Sequence, residues 1–474
     1  MKKSKLLLIN ILVYGVGGVV GRIIPIIMIP VITRIYPDTS FFGLNDISNT
    51  ITSFAISLAG VGMYDAMFRL FFDDDSEWFK RRVCSTSLVF TIITAVIVGV
   101  ALVLLGDFFA TTLFGGSQYD YLVYICAFST LFGTTNNIVA APTRMLNRSK
   151  TFIFINSLSA FLAYGLAFVF LYLRLYTIAI PIGSMTAYFI TEIIYVLLNR
   201  KWFNVKDFDG SILKSLLKIA VPIAPTFLVY WVFSSSDRIV LSQMMTMSDV
   251  GVYSVGAKLG SVSQLICAAF AGGWQFFSFS TMNEDDQVVN NSRIFEYLGI
   301  ISLVSGALIC SNCFWIYGIL FPVSYQGGRI IAPYLFLAPL LQMLFQVGST
   351  QYIIKKKSWP NIIILSIGAI TNVLLNVVLV PFLGVEGAAL GTLIGYCLSV
   401  LILVVCLMRE GLFVISNRFV LVCVLDILYF FIWRLLFEGS FYGNIITMFF
   451  ILVCLLLYKE EVVIVIKMLK TVKI

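Results

Sequence analysis

Long apolar runs separated by short polar turns repeat along the whole chain. A helix needs ~20 apolar residues to cross the ~30 Å hydrocarbon core of a bilayer. On that scale the pattern predicts fourteen helices, over residues 9–33, 43–66, 84–105, 119–141, 151–173, 177–199, 217–241, 251–279, 295–320, 331–353, 361–382, 387–408, 418–436 and 443–458. Asp426 and Arg434 interrupt the thirteenth. The first run follows Met1-Lys2-Lys3-Ser4-Lys5 and extends to about Val31 without a small-x-small cleavage site. It is therefore read as a first transmembrane helix rather than a secretory signal, whose apolar stretch is ~7–15 residues.

Composition carries the same message. Of 474 residues, 60% are hydrophobic and 12% are charged, about half the ~25% charge of a soluble domain. The mean hydropathy is +0.98. Fourteen spans of ~20 residues leave about 13 residues for each connection or end, too few for a soluble catalytic domain. The expected fold is an all-α, polytopic membrane protein.

Charge sets the orientation. With the first residues on the cytoplasmic side, 25 of the 32 Lys and Arg fall in cytoplasmic segments, against 5 (Arg34, Arg174, Arg238, Arg329, Arg434) toward the outside. Arg22 and Lys258 fall inside spans. So lopsided a division is the positive-inside pattern, and a missed or extra helix would scramble it. Both termini are expected in the cytoplasm.

An internal repeat organises the helices. At an offset of 208, Phe42-Gly43-Leu44 falls on Val250-Gly251-Val252, Asn147-Arg148-Ser149-Lys150 on Lys355-Lys356-Lys357-Ser358, and Ala179-x3-Gly183 on Gly387-x3-Gly391. The expected domains are a first lobe over residues 1–208 with helices 1–6 and a second over 209–416 with helices 7–12. Residues 417–474 carry helices 13 and 14 and a cytoplasmic tail. Lobes of six helices face the same way, so a pseudo-twofold along the membrane normal should relate them, with the ligand path between.

The chain has no histidine, which removes the commonest general base, metal ligand and proton relay. Nine cysteines are scattered through apolar segments. Cys310 and Cys313 have C-x-x-C spacing inside a predicted span, where small apolar packing competes with a redox or metal role. Asp73-Asp74-Asp75 resembles an acidic metal-binding triplet, but the loop is short and Lys80-Arg81-Arg82 follows it, so it is read as a solvated loop. No G-x-x-x-x-G-K-[ST] phosphate loop is present, which argues against ATP hydrolysis by this chain. No catalytic residue, resident metal, cofactor or nucleic acid is expected.

Charges inside spans remain. Each costs ~2.5–3.5 kcal/mol to insert, so each needs a partner or a wet cavity. They are Arg22, Asp46, Asp65 with Arg69, Glu192, Asp237 with Arg238, Lys258 and Asp426. Arg22 lies near the midplane, and with Lys258 it would put positive charge into a central cleft. A guanidinium holds phosphate oxygens in a planar fork, so Arg22 and Lys258 are candidates for an anionic headgroup. An interhelical pair of Arg22 with Asp46 is the alternative. Asp237-Arg238 reads either as a gating pair or cation-coupling site, or as an ion pair at a helix end. Glu192 reads as a snorkelling side chain.

The run Leu217-x-Lys-Ile-Ala-Val-Pro-Ile-Ala-Pro225, then Asp237-Arg-Ile-Val-Leu241 and Val250-Gly-Val-Tyr-Ser254, resembles the start of the second lobe in Wzx-type polysaccharide flippases. Phe42-Gly43, Gly60-x-Gly62 leading to Phe68-Arg69, and Leu383-Gly-Val-x-Gly-Ala-Ala389 agree with it. The resemblance covers essentially the whole chain and points to the superfamily of multidrug, oligosaccharidyl-lipid and polysaccharide exporters. It implies an inner-membrane flippase, not an enzyme, for O-antigen or capsule assembly. Such a protein moves undecaprenyl-diphosphate-linked oligosaccharide from the cytoplasmic to the periplasmic leaflet by alternating access. The family's cationic cavity maps to Arg22 and Lys258, with Arg69 at the cytoplasmic mouth. Asp237, Arg238, Asp46 and Asp65 become the candidate coupling or gating groups. H+ or Na+ is the candidate coupling ion, and membrane lipid and a polysaccharide polymerase are candidate partners. A cation-coupled drug or small-molecule exporter of the same superfamily is the alternative. It would depend on Asp46, Asp65 or Asp237 and not on Arg22.

Overall fold

The computed structural model describes residues 23–282, 284–357, 359–437, 442–461 and 463. Among these residues the chain is helical throughout, with no strand. The first unit holds α1 (Ile23–Ile35), α2 (Ser40–Gly60), α3 (Met63–Leu70), α4 (Glu77–Leu104) and α5 (Gly106–Leu113). It continues with α6 (Asp120–Met145), α7 (Ser149–Tyr172), α8 (Ala179–Asn199) and α9 (Gly210–Met244). Then come α10 (Met247–Gly260), α11 (Gln264–Ser280), α12 (Gln287–Leu320), α13 (Ile331–Ile354), α14 (Trp359–Leu383), α15 (Val385–Arg409), α16 (Asn417–Ile432) and α17 (Tyr442–Leu457).

Each of the fourteen expected spans meets a helix, the first from Ile23 onward, because residues 9–22 lie outside the described residues. Among the described residues ten helices are long and apolar enough to cross a membrane, and the bent pair α2–α3 makes an eleventh if counted as one span. α1 and α17 are shorter apolar helices. The eighth expected span is broken into α10 and α11 by a 3-10 turn at Ser261–Ser263, and the thirteenth ends in a π turn at Trp433–Phe437. The protein is a multi-pass helical membrane protein.

The chain divides into two compact units. Among the described residues, one comprises those up to Val255 together with Ala369–Gly391; the other comprises Gly256–Gly368 and those from Thr392 onward. The first is held by close helix packing through small residues. α2 and α10 cross so closely that a Cβ on Gly43 would strike the Met247 carbonyl, and one on Gly251 would strike the Thr39 carbonyl. Both pairs of positions, 43 with 251 and 39 with 247, differ by 208. Such crossings are how membrane helices gain van der Waals contact without a hydrophobic drive between them. Gly183 meets the Ala163 carbonyl of α7, and Gly391 meets the Asn376 side chain of α14.

The break between α2 and α3 lies at Val61 and Gly62, both left-handed with φ of 46° and 71°, and the helix axes bend there by 41°. Gly62 also lies 2.9 Å, from its would-be Cβ, to the Ala220 carbonyl of α9. Glycine is the residue that meets both demands. Below the bend, Met63, Met67, Phe71, Cys84, Trp202 and Leu216 belong to one buried apolar cluster. The α8–α9 connection is strapped to the start of α4 by Arg81–Asp207 (2.6 Å), Arg82–Asp209 (2.6 Å) and Lys201–Glu77 (2.9 Å).

The second unit is built on α12 and α13. Glu296 accepts the Ser416 backbone N–H at 2.6 Å and its hydroxyl at 2.8 Å, tying α12 to the start of α16. Tyr429 donates to the Ala307 carbonyl at 3.0 Å.

Candidate functional site

Two features of the first unit collect polar chemistry. One is a buried charge cluster. Arg238 on α9 donates through Nε to Asp46 Oδ2 on α2 at 2.8 Å and through Nη1 to Asp237 Oδ1 at 3.0 Å. Ser254 on α10 donates to the same Asp46 oxygen at 2.6 Å, across a separation of 208 residues. The Tyr253 hydroxyl donates to Asp237, and its ring lies 5.5 Å from the guanidinium carbon. The side chains of Arg238, Asp46 and Asp237 are 13%, 4% and 2% exposed. An ion pair at a helix end would reach for water, so Asp237-Arg238 is instead an internal link between α9 and α2. The partner of Asp46 that the sequence suggested, Arg22, lies outside the described residues.

The second feature is a cavity of about 500 Å³ around the bend between α2 and α3. Its wall includes Gly60, Gly62, Tyr64 and Asp65 at the bend, Thr91 on α4, and Asn136, Asn137 and Arg144 on α6. Phe152 and Asn156 on α7 and Phe227 on α9 also line it, with apolar side chains such as Ile56, Met63 and Ile138 between the polar ones. Arg144 donates to the Tyr64 hydroxyl at 3.0 Å, with its guanidinium carbon 6.0 Å from the Phe68 ring and 5.9 Å from the Phe152 ring. Asn136 donates to the Tyr188 carbonyl at 3.1 Å and the Thr191 hydroxyl at 2.9 Å, which fixes its amide. Asn137 donates to the Gly133 carbonyl at 3.1 Å. The Asn156 amide oxygen accepts from Tyr195 at 3.3 Å. Thr91 is 1% exposed, and its hydroxyl has no partner among the described residues.

The other sequence candidates fall elsewhere. Arg69 is on the exposed face of α3, paired with Asp73. Asp75 pairs with Lys80 at 2.9 Å, and Asp74 accepts the Ser76 backbone N–H at 2.7 Å, so the acidic triplet is spent on local contacts. Asp65 lines the cavity beside Arg144. Glu192 is half-buried on α8. Lys258 is half-buried on α10, in the stretch belonging to the second unit. Asp426 is buried on α16 with Oδ1 lacking a partner among the described residues. Cys310 and Cys313 are buried, and the Cys313 thiol donates to the Arg329 carbonyl. Among the described residues no three His, Cys, Asp or Glu are grouped so as to hold a metal.

Arg144, Asn136, Asn137 and Asn156 were not singled out from the sequence. Arg144 reads there as one more cytoplasmic charge in a basic turn. The amides carry no charge and so no insertion penalty large enough to flag them. The available signal was an Asn-Asn pair within an apolar segment.

The fold and these two polar features define a membrane-embedded helical protein with a polar-lined recess in one unit. The chain belongs to the polysaccharide biosynthesis protein family, whose model matches residues 7–282. No match was found among the curated proteins. Among solved structures the fold is similar to that of the lipid II flippase MurJ in an inward-closed conformation, with 16% identity and a TM-score of 0.69 over 95% of this chain and 100% of that one. It is also similar to an inward-facing multidrug-resistance MATE transporter of the MOP superfamily, at 14% identity and a TM-score of 0.63, covering 82% of this chain and 95% of that one. An outward-facing MATE transporter gives 15% identity and a TM-score of 0.59 over 85% and 96%. These likenesses establish the fold.

Proposed function

We propose that the protein is a flippase that carries polyprenyl-diphosphate-linked oligosaccharide across the bacterial inner membrane for surface polysaccharide assembly. The observation that carries this reading is membership of a polysaccharide biosynthesis family on a fold shared with a lipid II flippase. Physical chemistry supplies the need. A diphosphate cannot cross ~30 Å of hydrocarbon unaided. A polar recess replaces its hydration while the polyprenyl tail stays in lipid. Two conformations of unequal affinity for the two leaflets then suffice, with no covalent step.

In this proposal Arg22 and Lys258 hold the diphosphate midway and Arg69 attracts it at the cytoplasmic mouth. Asp46, Asp237 and Arg238 are the gating group, because they link α9 to α2 within hydrocarbon, where breaking and remaking a charge pair changes free energy by several kcal/mol. Asp65 belongs to the cavity mouth. Both termini lie in the cytoplasm, and H+ or Na+ is the candidate coupling ion. The 208-residue offset is read as two six-helix lobes with α16 and α17 added.

The buried carboxylates Asp46 and Asp237 favour one other reading, an exporter of organic cations on the same fold. Cells lacking the protein separate the two. The flippase reading expects lipid-linked oligosaccharide to accumulate in the cytoplasmic leaflet, shielded from a periplasmic sugar oxidase, with unchanged resistance to toxic cations. Normal exposure of the oligosaccharide together with cation sensitivity would establish the exporter instead.

A further inference from the structure

We propose that the cavity at the α2–α3 bend is a loading subsite that binds a sugar joined to a diphosphate, before the substrate moves to the midspan charges. The inference rests on the flippase reading for the source of that ligand. Its chemistry comes from the wall.

Amides are suited to a neutral, hydroxyl-rich ligand, since each offers two donors and an acceptor. Asn137 uses one donor on the Gly133 carbonyl, and Asn156 uses its oxygen to accept from Tyr195. Donor capacity remains on both, and both side chains are exposed at the recess. Phe152 and Phe227 add apolar faces against which a sugar ring can lie. Thr91 adds to the wall a buried hydroxyl with no partner among the described residues, and such a group in a native structure calls for an explanation.

The diphosphate is assigned to Arg144. Its guanidinium has five donors, and its hydrogen bond among the described residues is the one to Tyr64. Held near two aromatic rings, it presents a pre-set fork for phosphate oxygens. Asp65, on the same rim beside Arg144, can accept from sugar hydroxyls, and the guanidinium next to it offsets its charge. The volume of about 500 Å³ lies within the ~300–1,000 Å³ of pockets that enclose small ligands, enough for a mono- or disaccharide and not for a long glycan. Position agrees with the role. The recess lies where α6 ends and α7 begins, next to the basic turn Arg148-Ser149-Lys150, which the positive-inside rule puts on the side where such lipids are made.

The test uses the full chain in lipid nanodiscs. Three probes are compared: a short-chain polyprenyl diphosphate bearing a disaccharide, the same lipid without sugar, and a soluble nucleoside-diphosphate hexose. The expected result is preference for the sugar-bearing lipid. Asn137→Ala and Asn156→Ala should each weaken it by about tenfold or less, the scale of one hydrogen bond, and leave the sugar-free lipid unchanged. Arg144→Gln should weaken both lipids. Asn156→Cys should react with a water-soluble maleimide at a rate that the sugar-bearing lipid slows, a readout independent of any fold defect in the alanine variants. If the asparagine variants change both lipids alike or neither, or if labelling is not slowed, the subsite is overturned. Equal binding of the soluble nucleotide sugar overturns the lipid source. Sugar-dependent protection without any movement of lipid between leaflets would overturn the transport reading and leave the subsite standing.

Discussion

At the residue scale, burial decides which charges matter. Arg238 sits largely buried between two carboxylates, whereas Arg69 pairs with Asp73 on the surface. Removing one member of a buried pair leaves an uncompensated charge and costs ~3–5 kcal/mol, while a surface pair contributes ~0–1 kcal/mol. Arg238→Met should therefore lower the unfolding temperature and yield of the purified protein sharply, and Arg69→Gln should leave both near wild type. Similar losses from the two would show that the Arg238 cluster is solvated. Asp209 supplies a second prediction. It caps α9, accepting from the Ser211 hydroxyl at 2.6 Å, the Ser211 N–H at 2.8 Å and the Ile212 N–H at 3.3 Å. Chiefly through the Ser211 bonds its carboxyl is held down to about 2, below the ~3.9 of a free aspartate. A depressed value stabilises the fold above the unfolded value, and that contribution is lost as pH falls from about 4 toward 2. Thermal unfolding measured from pH 6 to pH 3 should decline less steeply in Asp209→Asn than in wild type. Parallel profiles would remove the cap from the account.

At the element scale, close backbone approach is the organising device. Gly43 and Gly251 leave no room for a methyl group at the α2–α10 crossing, whereas Gly165 has open space where a Cβ would go. Gly43→Ala and Gly251→Ala should destabilise by about 1–3 kcal/mol, the usual cost of overpacking, and Gly165→Ala should be neutral or mildly stabilising through helix propensity. Denaturation in a mild detergent series would rank them; equal effects at all three sites would contradict the crossing. Element positions were largely legible in the sequence because a bilayer leaves few choices. Backbone groups must be paired within the segment, so an apolar run of sufficient length becomes a helix. What escaped was punctuation inside apolar runs. The Val61–Gly62 break and the turn at Ser261–Ser263 fall within expected spans, and the short helix α5 begins just past the expected end at Leu105. The candidate site was legible only where it was charged. Asp46, Asp237 and Arg238 stood out through their insertion penalty, although the pairing of Arg238 with Asp46, 192 residues away, did not. The asparagines of the cavity stayed silent.

At the scale of the whole molecule, the claims are orientation and transport. The division of Lys and Arg, 25 against 5, predicts that cysteines introduced at Asp74 and Arg148 in a cysteine-free background react with an impermeant maleimide only when the cytoplasmic side is open. A cysteine at Gln118 should react from outside the intact cell. The reverse pattern would invert the topology and place the cavity at the outer surface, which a loading subsite does not allow. The polar-lined recess, the buried charge cluster and the family assignment meet in one claim, that lipid-linked sugar changes leaflets on this protein. The most direct measurement is leaflet sidedness of a labelled polyprenyl-diphosphate oligosaccharide in proteoliposomes, read by an impermeant sugar-modifying enzyme. The account predicts protein-dependent equilibration that Arg144→Gln and Arg22→Ala each impair, in vesicles containing equal amounts of folded protein. Vesicles in which the labelled lipid stays in its original leaflet, with wild-type protein folded and correctly inserted, would contradict it.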